Sequence, residues 1–311
     1  MNIKKFIKNP YKIFNVLATK QCFHWLKDET YVKLAYRASI GKKLSLNNPQ
    51  TFNEKLQWLK LYDRKSEYTM MADKYLVRKY IAEKLGEEYL IPLLGAWDSP
   101  EEIDFDALPN QFVLKCNHNS GLGMCICKDK SKLDIEKVKH ELEKGLAQDY
   151  YLTGREWIYK DIPRKIICEQ FMEDETTAEL RDYKFMCFDG IVKCSFVCSE
   201  RFNDEGLHVT FFDRNWKVMP FERRYPHKEE GVVKPVHYEK MVELAETLSK
   251  NLPFVRVDFY EVNGKIYFGE LTFFPGSGFE EFTPETWDYT LGSWIDLRAP
   301  LKTLSTNSFL L

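Results

Sequence analysis

Apolar and polar positions alternate along this chain in two distinct rhythms. Over residues 1–72 the apolar side chains recur mostly at helical spacing. In NEKLQWLKLY, residues 53–62, Leu56, Leu59 and Tyr62 fall on one predicted face. Asp73 is expected to cap a second helix, DKYLVRKYIAEKLG, that stops at Gly86. EEYLIPLLGAWDS then reads as a short strand punctuated by turn residues. From Gln111 the rhythm becomes that of strands. QFVLKCNH and GMCICKD flank a polar, glycine-containing loop, which predicts a hairpin. Residues 134–150 return to helical spacing, and RKIICEQFME, DYKFMCFDG, IVKCSFVCS and HVTFFDRN follow as four strands. Asp189-Gly190 and Asn263-Gly264 are hairpin turns, the second joining FVRVDFYEV to KIYFGELTF after an amphipathic helix over residues 237–251. Strand runs separated by single helices predict an α+β fold with mainly antiparallel sheets.

Composition narrows the function classes. The 311 residues are 44% hydrophobic and 30% charged, the mix of a soluble globular protein. A net charge of −2 gives no overall field that favours nucleic acid, so none is expected as a partner. The eight cysteines are irregularly spaced, and Cys168 and Cys187 sit inside apolar runs, as small buried side chains do in a reducing, cytoplasmic compartment. Cys116, Cys125 and Cys127 lie close together, but no second pair follows at zinc-ligand spacing and strand alternation explains them. No apolar run reaches the roughly 18 residues of a membrane span. The first twenty residues carry five lysines, no acid, and Ile3, Phe6, Ile13, Phe14 and Leu17. That start suits either peripheral contact with an anionic membrane face or a helix docked on the protein, and Pro10 favours docking.

The last hairpin holds the most specific candidate chemistry. Alternation puts Arg256, Asp258 and Tyr260 on one face of its first strand, and Phe268, Glu270 and Thr272 on one face of its second. Asp258 and Glu270 lie at similar distances from the turn, so they repel unless a cation stands between them. A magnesium ion carrying nucleotide phosphates meets that need, because it takes oxygen ligands and uses only one or two carboxylates. Arg256 can hold a phosphoryl oxygen bidentately. A surface ion pair between Arg256 and Asp258 is an equally good reading of the isolated hairpin. The Pro275-Gly276-Ser277-Gly278 segment favours a ligand site, since a rigid turn of small residues lets backbone N–H groups approach a ligand.

The pattern R-x-D-F … G-K-I-Y-F-x-E-x-T-x-x-P-G resembles the metal signature of the ATP-grasp superfamily. The resemblance implies two α+β subdomains enclosing a nucleotide cleft, with ATP and Mg2+ as cofactors. It assigns Asp258 and Glu270 to the metal, with Thr272 standing where the family usually has asparagine. Lys115 matches the lysine ahead of the phosphate loop, here Ser120, Gly121 and Gly123, and Lys74 matches a second phosphate lysine. Glu169, Gln170, Phe171 and Met172 resemble the hinge that holds adenine largely through backbone groups. Asp182 stands where an acid often meets the ribose, and Lys184 faces the same side. The expected organisation is a helical region over residues 1–72, subdomains over 73–168 and 169–300, and a tail over 301–311.

NNPQTFNEKLQWLKLYDR, TGREWIYKDIPRKII and FGELTFFPGSGFEEFTPETWDY further resemble the TupA-like ATP-grasp family of bacterial surface-polysaccharide clusters, over roughly residues 45–290. The family is associated with teichuronopeptide assembly. The resemblance thus implies a carboxylate–amine ligase that joins an amino acid or peptide to a uronic-acid polymer or its precursor through an acylphosphate. Arg256, Lys115 and the backbone of Gly276, Ser277 and Gly278 are the expected catalytic groups, and Arg155, Trp157 and Arg201 the candidate substrate contacts. A sugar or polyol kinase, a metal-dependent glycosyltransferase and an inactive polysaccharide-binding protein are the alternatives.

Overall fold

The computed structural model describes residues 11–18, 22–175, 180–199, 207–228 and 230–297. The start of the basic N-terminal stretch and Arg201 lie outside the described residues. Helices α1 (Lys12–Ala18), α2 (Asp28–Ile40), α3 (Phe52–Tyr62) and α4 (Glu67–Ala72) make the first quarter helical, as the apolar spacing predicts. Helix α3 begins at a capping box in which Thr51 Oγ1 accepts Glu54 N–H at 3.1 Å and Glu54 Oε2 accepts Thr51 N–H at 3.2 Å. Its buried face differs from the one expected. Leu56 and Leu59 are inside, but Tyr62 is 50% exposed, and Asn53, Gln57 and Lys60 are buried instead.

Helix α5 (Val77–Lys84) starts three residues later than a helix capped by Asp73 would. Asp73 still works as a cap, but for the turn ahead of the helix: its Oδ1 accepts Tyr75 N–H at 2.7 Å and Leu76 N–H at 3.3 Å. Strands β1 (Leu93–Trp97), β2 (Phe112–Cys116), β3 (Met124–Cys127) and β4 (Ile166–Gln170) form a sheet of order β1-β4-β2-β3 in which every pairing is antiparallel. Helices α6 (Ile135–Ala147) and α7 (Tyr151–Gly154) lie between β3 and β4 in the chain.

A second sheet has the order β10-β9-β5-β6-β7, from β5 (Asp182–Phe188), β6 (Ile191–Ser199), β7 (His208–Asp213), β9 (Phe254–Val262) and β10 (Lys265–Thr272). The β5–β6 turn at Asp189-Gly190 and the β9–β10 turn at Asn263-Gly264 have positive φ at both central residues, the geometry that asparagine, aspartate and glycine tolerate. Helix α8 (Tyr238–Ser249) packs on β5 and β6. The two-residue strands β8 (Glu222–Arg223) and β11 (Phe282–Thr283) pair with each other ahead of α9 (Thr286–Ser293).

The chain divides into two compact units. The first comprises residues 1–63, 181–259 and 271–311; the second comprises 64–180 and 260–270. In the first, Phe52 of α3 docks on the strands through Phe254, with ring centres 5.0 Å apart, and Phe188. The second has its own core of Phe105, Phe112, Leu114, Leu142 and Ile166. The cysteines carry free thiols; Cys168 and Cys187 are buried as expected, and so are Cys116, Cys127 and Cys194. Among the described residues no helix is long and apolar enough to cross a membrane.

Candidate functional site

In the second unit the expected phosphate lysines share one polar cluster. Lys115 Nζ lies 2.6 Å from Glu169 Oε2, and Arg78 Nη1 lies 3.4 Å from the other oxygen. The Glu169 side chain is thereby occupied. Asn117, fully buried, ties the Asp73-Lys74 turn to the loop after β2. Its Nδ2 donates to Asp73 Oδ1 and to Pro163 O, each at 2.9 Å, and its carbonyl accepts Lys74 N–H at 3.2 Å. Lys74 Nζ donates to Asn119 O at 2.6 Å. Burial lowers the Lys74 pKa and Lys115 adds to this, against the opposing pull of Glu270, Asp73 and Glu169.

The loop itself has a fixed base and an open tip. Gly123 sits so close to Gly145 of α6 that a Cβ on it would stand 2.7 Å from Gly145 Cα and 2.8 Å from Cys116 Sγ. Ser120, Gly121 and Leu122 are exposed. Gly121 has φ +84° with nothing near its would-be Cβ, so its left-handed backbone is what requires glycine there. Downstream of Glu169, Gln170 is exposed and Phe171 and Met172 are half-buried, with Lys128 Nζ 5.4 Å from the Phe171 ring centre.

In the first unit the hairpin arginine and acid meet two groups from β5. Arg256 grips Asp258 in a fork, Nε to Oδ1 at 2.7 Å and Nη2 to Oδ2 at 2.6 Å. Lys184 Nζ donates to Asp258 Oδ2 at 2.5 Å and also to Asp182 Oδ2. The four groups sum to zero formal charge, and Asp258 is only 1% exposed. Asp182 Oδ1 is buried without a hydrogen-bond partner, an acceptor that a donor from a ligand would satisfy.

Beyond β10, residues Pro275–Gly278 turn sharply, with Gly276, Ser277 and Gly278 all left-handed at φ +58°, +54° and +66°. Helix α3 holds this turn by its carbonyl side. Gln57 Nε2 donates to Ser277 O at 2.9 Å and Gly278 O at 2.8 Å, and Lys60 Nζ donates to Ser277 O at 2.8 Å and Gln57 Oε1 at 3.0 Å. In a trans peptide the N–H points opposite to the C=O, so the N–H of Gly278 faces away from α3.

A family model described as TupA-like ATPgrasp matches residues 54–296. The chain belongs to the TupA-like ATP-grasp family. The fold is accordingly an ATP-grasp fold, with α+β architecture and a short helical region at its N-terminus. No curated protein matches. Among solved structures, the D-alanine–D-alanine ligase from Bacillus anthracis complexed with ATP is similar at 16% identity and a TM-score of 0.39, over 65% of this chain and 53% of that one. That from Helicobacter pylori is 13% identical at a TM-score of 0.43, over 80% and 70%. The D-cycloserine synthetase DcsG is 12% identical at 0.40, over 85% and 77%. This chain thus spans about half the length of the first of these.

Within the ATP-grasp fold, Asp182, Lys184, Arg256 and Asp258 come together in the first unit, and Lys74, Lys115, Glu169 and Glu270 in the second. Glu270 and Thr272 occupy alternate, half-buried positions on β10. Among the described residues no group of three or more His, Cys, Asp or Glu is placed to hold a metal. Magnesium uses as few as one or two carboxylates and takes its other ligands from phosphate and water. Of the candidate substrate contacts, Arg155 is 3% exposed with Nη1 3.3 Å from Tyr151 OH. Trp157 is half-buried beside Tyr68 and Arg64, its Nε1 buried without a hydrogen-bond partner. Gln57, Lys60, Arg78 and Asn117 were not legible as site residues, because polar side chains at helix and loop positions ordinarily face water.

Proposed function

We propose that this chain is an ATP- and magnesium-dependent ligase that joins a carboxylate to an amine through an acylphosphate. The observation that carries the reading is the ion quartet of Asp182, Lys184, Arg256 and Asp258, with its unpartnered acceptor on Asp182, inside the family-matched region. A nucleotide fits that chemistry. A ribose hydroxyl would donate to Asp182 Oδ1, while Lys184 and Arg256 would trade carboxylate oxygens for phosphate oxygens. Asp258 and Glu270 would hold magnesium, with Thr272 ligating or orienting a water. When bound, the metal neutralises charge on the transferring phosphoryl group. Lys74, Lys115 and the Ser120–Gly123 loop would hold the phosphates, and the Glu169–Met172 backbone the adenine.

A substrate carboxylate oxygen bonds to the γ-phosphorus as the bond to the bridging oxygen breaks and ADP leaves. The amine then adds to the acyl carbon, loses a proton, and expels phosphate to give the amide. The work of the chain is positioning and charge stabilisation, so no protein nucleophile is required. Arg256, Lys115 and the backbone of Gly276, Ser277 and Gly278 would stabilise the phosphoryl group and the tetrahedral oxyanion. The family's association with teichuronopeptide assembly supports a uronic acid of a surface polysaccharide or its precursor as one partner and an amino acid or peptide as the other. Arg155 and Trp157 are the candidate contacts to that sugar. The test is a screen of uronic acids and amino acids for cleavage of Mg·ATP, with products identified by mass. ADP and phosphate released only when both substrates are present support the ligase. AMP with pyrophosphate, or a stable phosphorylated product, sinks it.

A further inference from the structure

Arg223 on β8 is 7% exposed, yet its Nε and Nη1 have no hydrogen-bond partner. Its guanidinium lies on two aromatic faces, 4.9 Å from the Phe196 ring centre and 5.5 Å from that of Phe211. Glu280 Oε2 approaches Nε at 3.1 Å, an ion contact whose geometry makes no hydrogen bond. Glu280 is itself shared, since Arg224 reaches its Oε1 at 3.4 Å. The same carboxylate packs over the left-handed turn, where a Cβ on Gly276 would stand 2.3 Å from Glu280 Cδ. Arg256 borders the Phe196 ring as well, at 5.8 Å.

Arginine stays protonated in proteins, so a buried guanidinium cannot shed its charge to escape the cost of unfilled donors. Desolvation lowers the Arg223 pKa; Glu280 opposes this and the like charge of Arg256 adds to it. Two guanidinium groups beside one aromatic ring, one of them with buried donors unfilled, form the donor set of an oxyanion site. We propose that Arg223 is an anion-binding residue that, together with Arg256, holds a carboxylate or phosphoryl group through its Nη1 N–H. Only the identity of the arriving anion rests on the ligase reading. A purely structural role, in which Arg223 links β8 to the segment carrying Glu280, makes the opposite prediction for Glu280. Removing that carboxylate would then weaken the fold without helping any ligand.

The experiment titrates inorganic phosphate and, separately, D-glucuronate into the full chain by calorimetry, with and without MgADP, for wild type, Arg223→Lys, Arg223→Gln, Glu280→Gln and Arg224→Gln. Wild type is expected to bind at least one of the two anions, and the stronger of them tells a phosphoryl from a carboxylate site. Arg223→Gln should weaken that binding about tenfold or more, and Arg223→Lys should weaken it too, because lysine lacks the planar fork. Glu280→Gln should tighten it several-fold by removing a competing anion, and Arg224→Gln should leave it within about twofold. Melting curves identify any variant that fails to fold; if Arg223→Gln does, the Lys and Glu280 variants decide. Wild-type affinity in both Arg223→Lys and Glu280→Gln, or no binding of either anion to wild type, overturns the proposal. Failure of MgADP to bind sinks the ligase reading instead, and the anion titrations without nucleotide still judge Arg223.

Discussion

Replacing Gly278 with alanine adds a methyl group at φ +66°, a left-handed backbone that costs an L-residue roughly 1–2 kcal/mol. The same methyl would stand 2.5 Å from Gln57 Nε2 and 3.1 Å from Leu56 Cβ. Gln57 is fully buried and cannot swing into solvent, so it must give up its bonds to Ser277 O and Gly278 O. Ser277 O keeps the Lys60 ammonium at 2.8 Å, whereas Gly278 O loses the Gln57 donor, at a cost of about 1–3 kcal/mol. Gly41, at φ +81° in the same unit, has nothing within 4 Å of its would-be Cβ and isolates the backbone penalty. Both variants gain somewhat from a less flexible unfolded chain, roughly 0.4–1 kcal/mol, which cancels between them. Gly278→Ala should therefore be less stable than Gly41→Ala by about 2 kcal/mol in urea unfolding at unchanged m-value. A difference below about 0.5 kcal/mol would mean that Gln57 does not hold the turn.

Three further outcomes follow from other parts of the structure. The folded Lys74 pKa lies below the unfolded value, so between the two the unfolded chain binds more protons and stability rises with pH. The stability of wild type relative to Lys74→Met should therefore increase as pH climbs towards the ordinary lysine value of about 10.4, and a pH-independent difference contradicts this. Cys22, exposed, should react first with a thiol reagent, while Cys187 and Cys194, fully buried and with thiols pushed up to about 12 chiefly by burial, should react only on unfolding. Labelling of Cys194 in the native protein at the Cys22 rate overturns that assignment. Glu270→Gln should lower turnover about a hundredfold or more while the protein stays folded, and retained activity would mean that the metal has been misplaced.

Local rules made much of the fold legible. Asn263-Gly264 and Asp189-Gly190 announce their hairpins because few other residue pairs accept positive φ twice in succession. Asp73 announces a cap, although the turn it caps precedes the helix. The buried polar stripe of α3 was not legible: Asn53, Gln57 and Lys60 recur at the spacing of a solvated face, and only tertiary contacts turn that face inward. Arg223 was hidden for a related reason. It sits on a two-residue strand with no periodicity of its own, in a run of charges that reads as surface. At the hairpin, the sequence left open whether Arg256 pairs with Asp258. It does, and Lys184 joins them, an ion cluster that no spacing rule specifies.

The central claim is that a carboxylate is activated as an acylphosphate, and oxygen tracing tests it most directly. The screened carboxylate substrate, labelled with 18O in both carboxyl oxygens, is incubated with Mg·ATP and the amine, and the released phosphate is analysed by mass. The account predicts one labelled oxygen in each phosphate formed with product, because the oxygen that attacks the γ-phosphorus leaves with it. Unlabelled phosphate released alongside the amide, or label appearing in AMP, would contradict it.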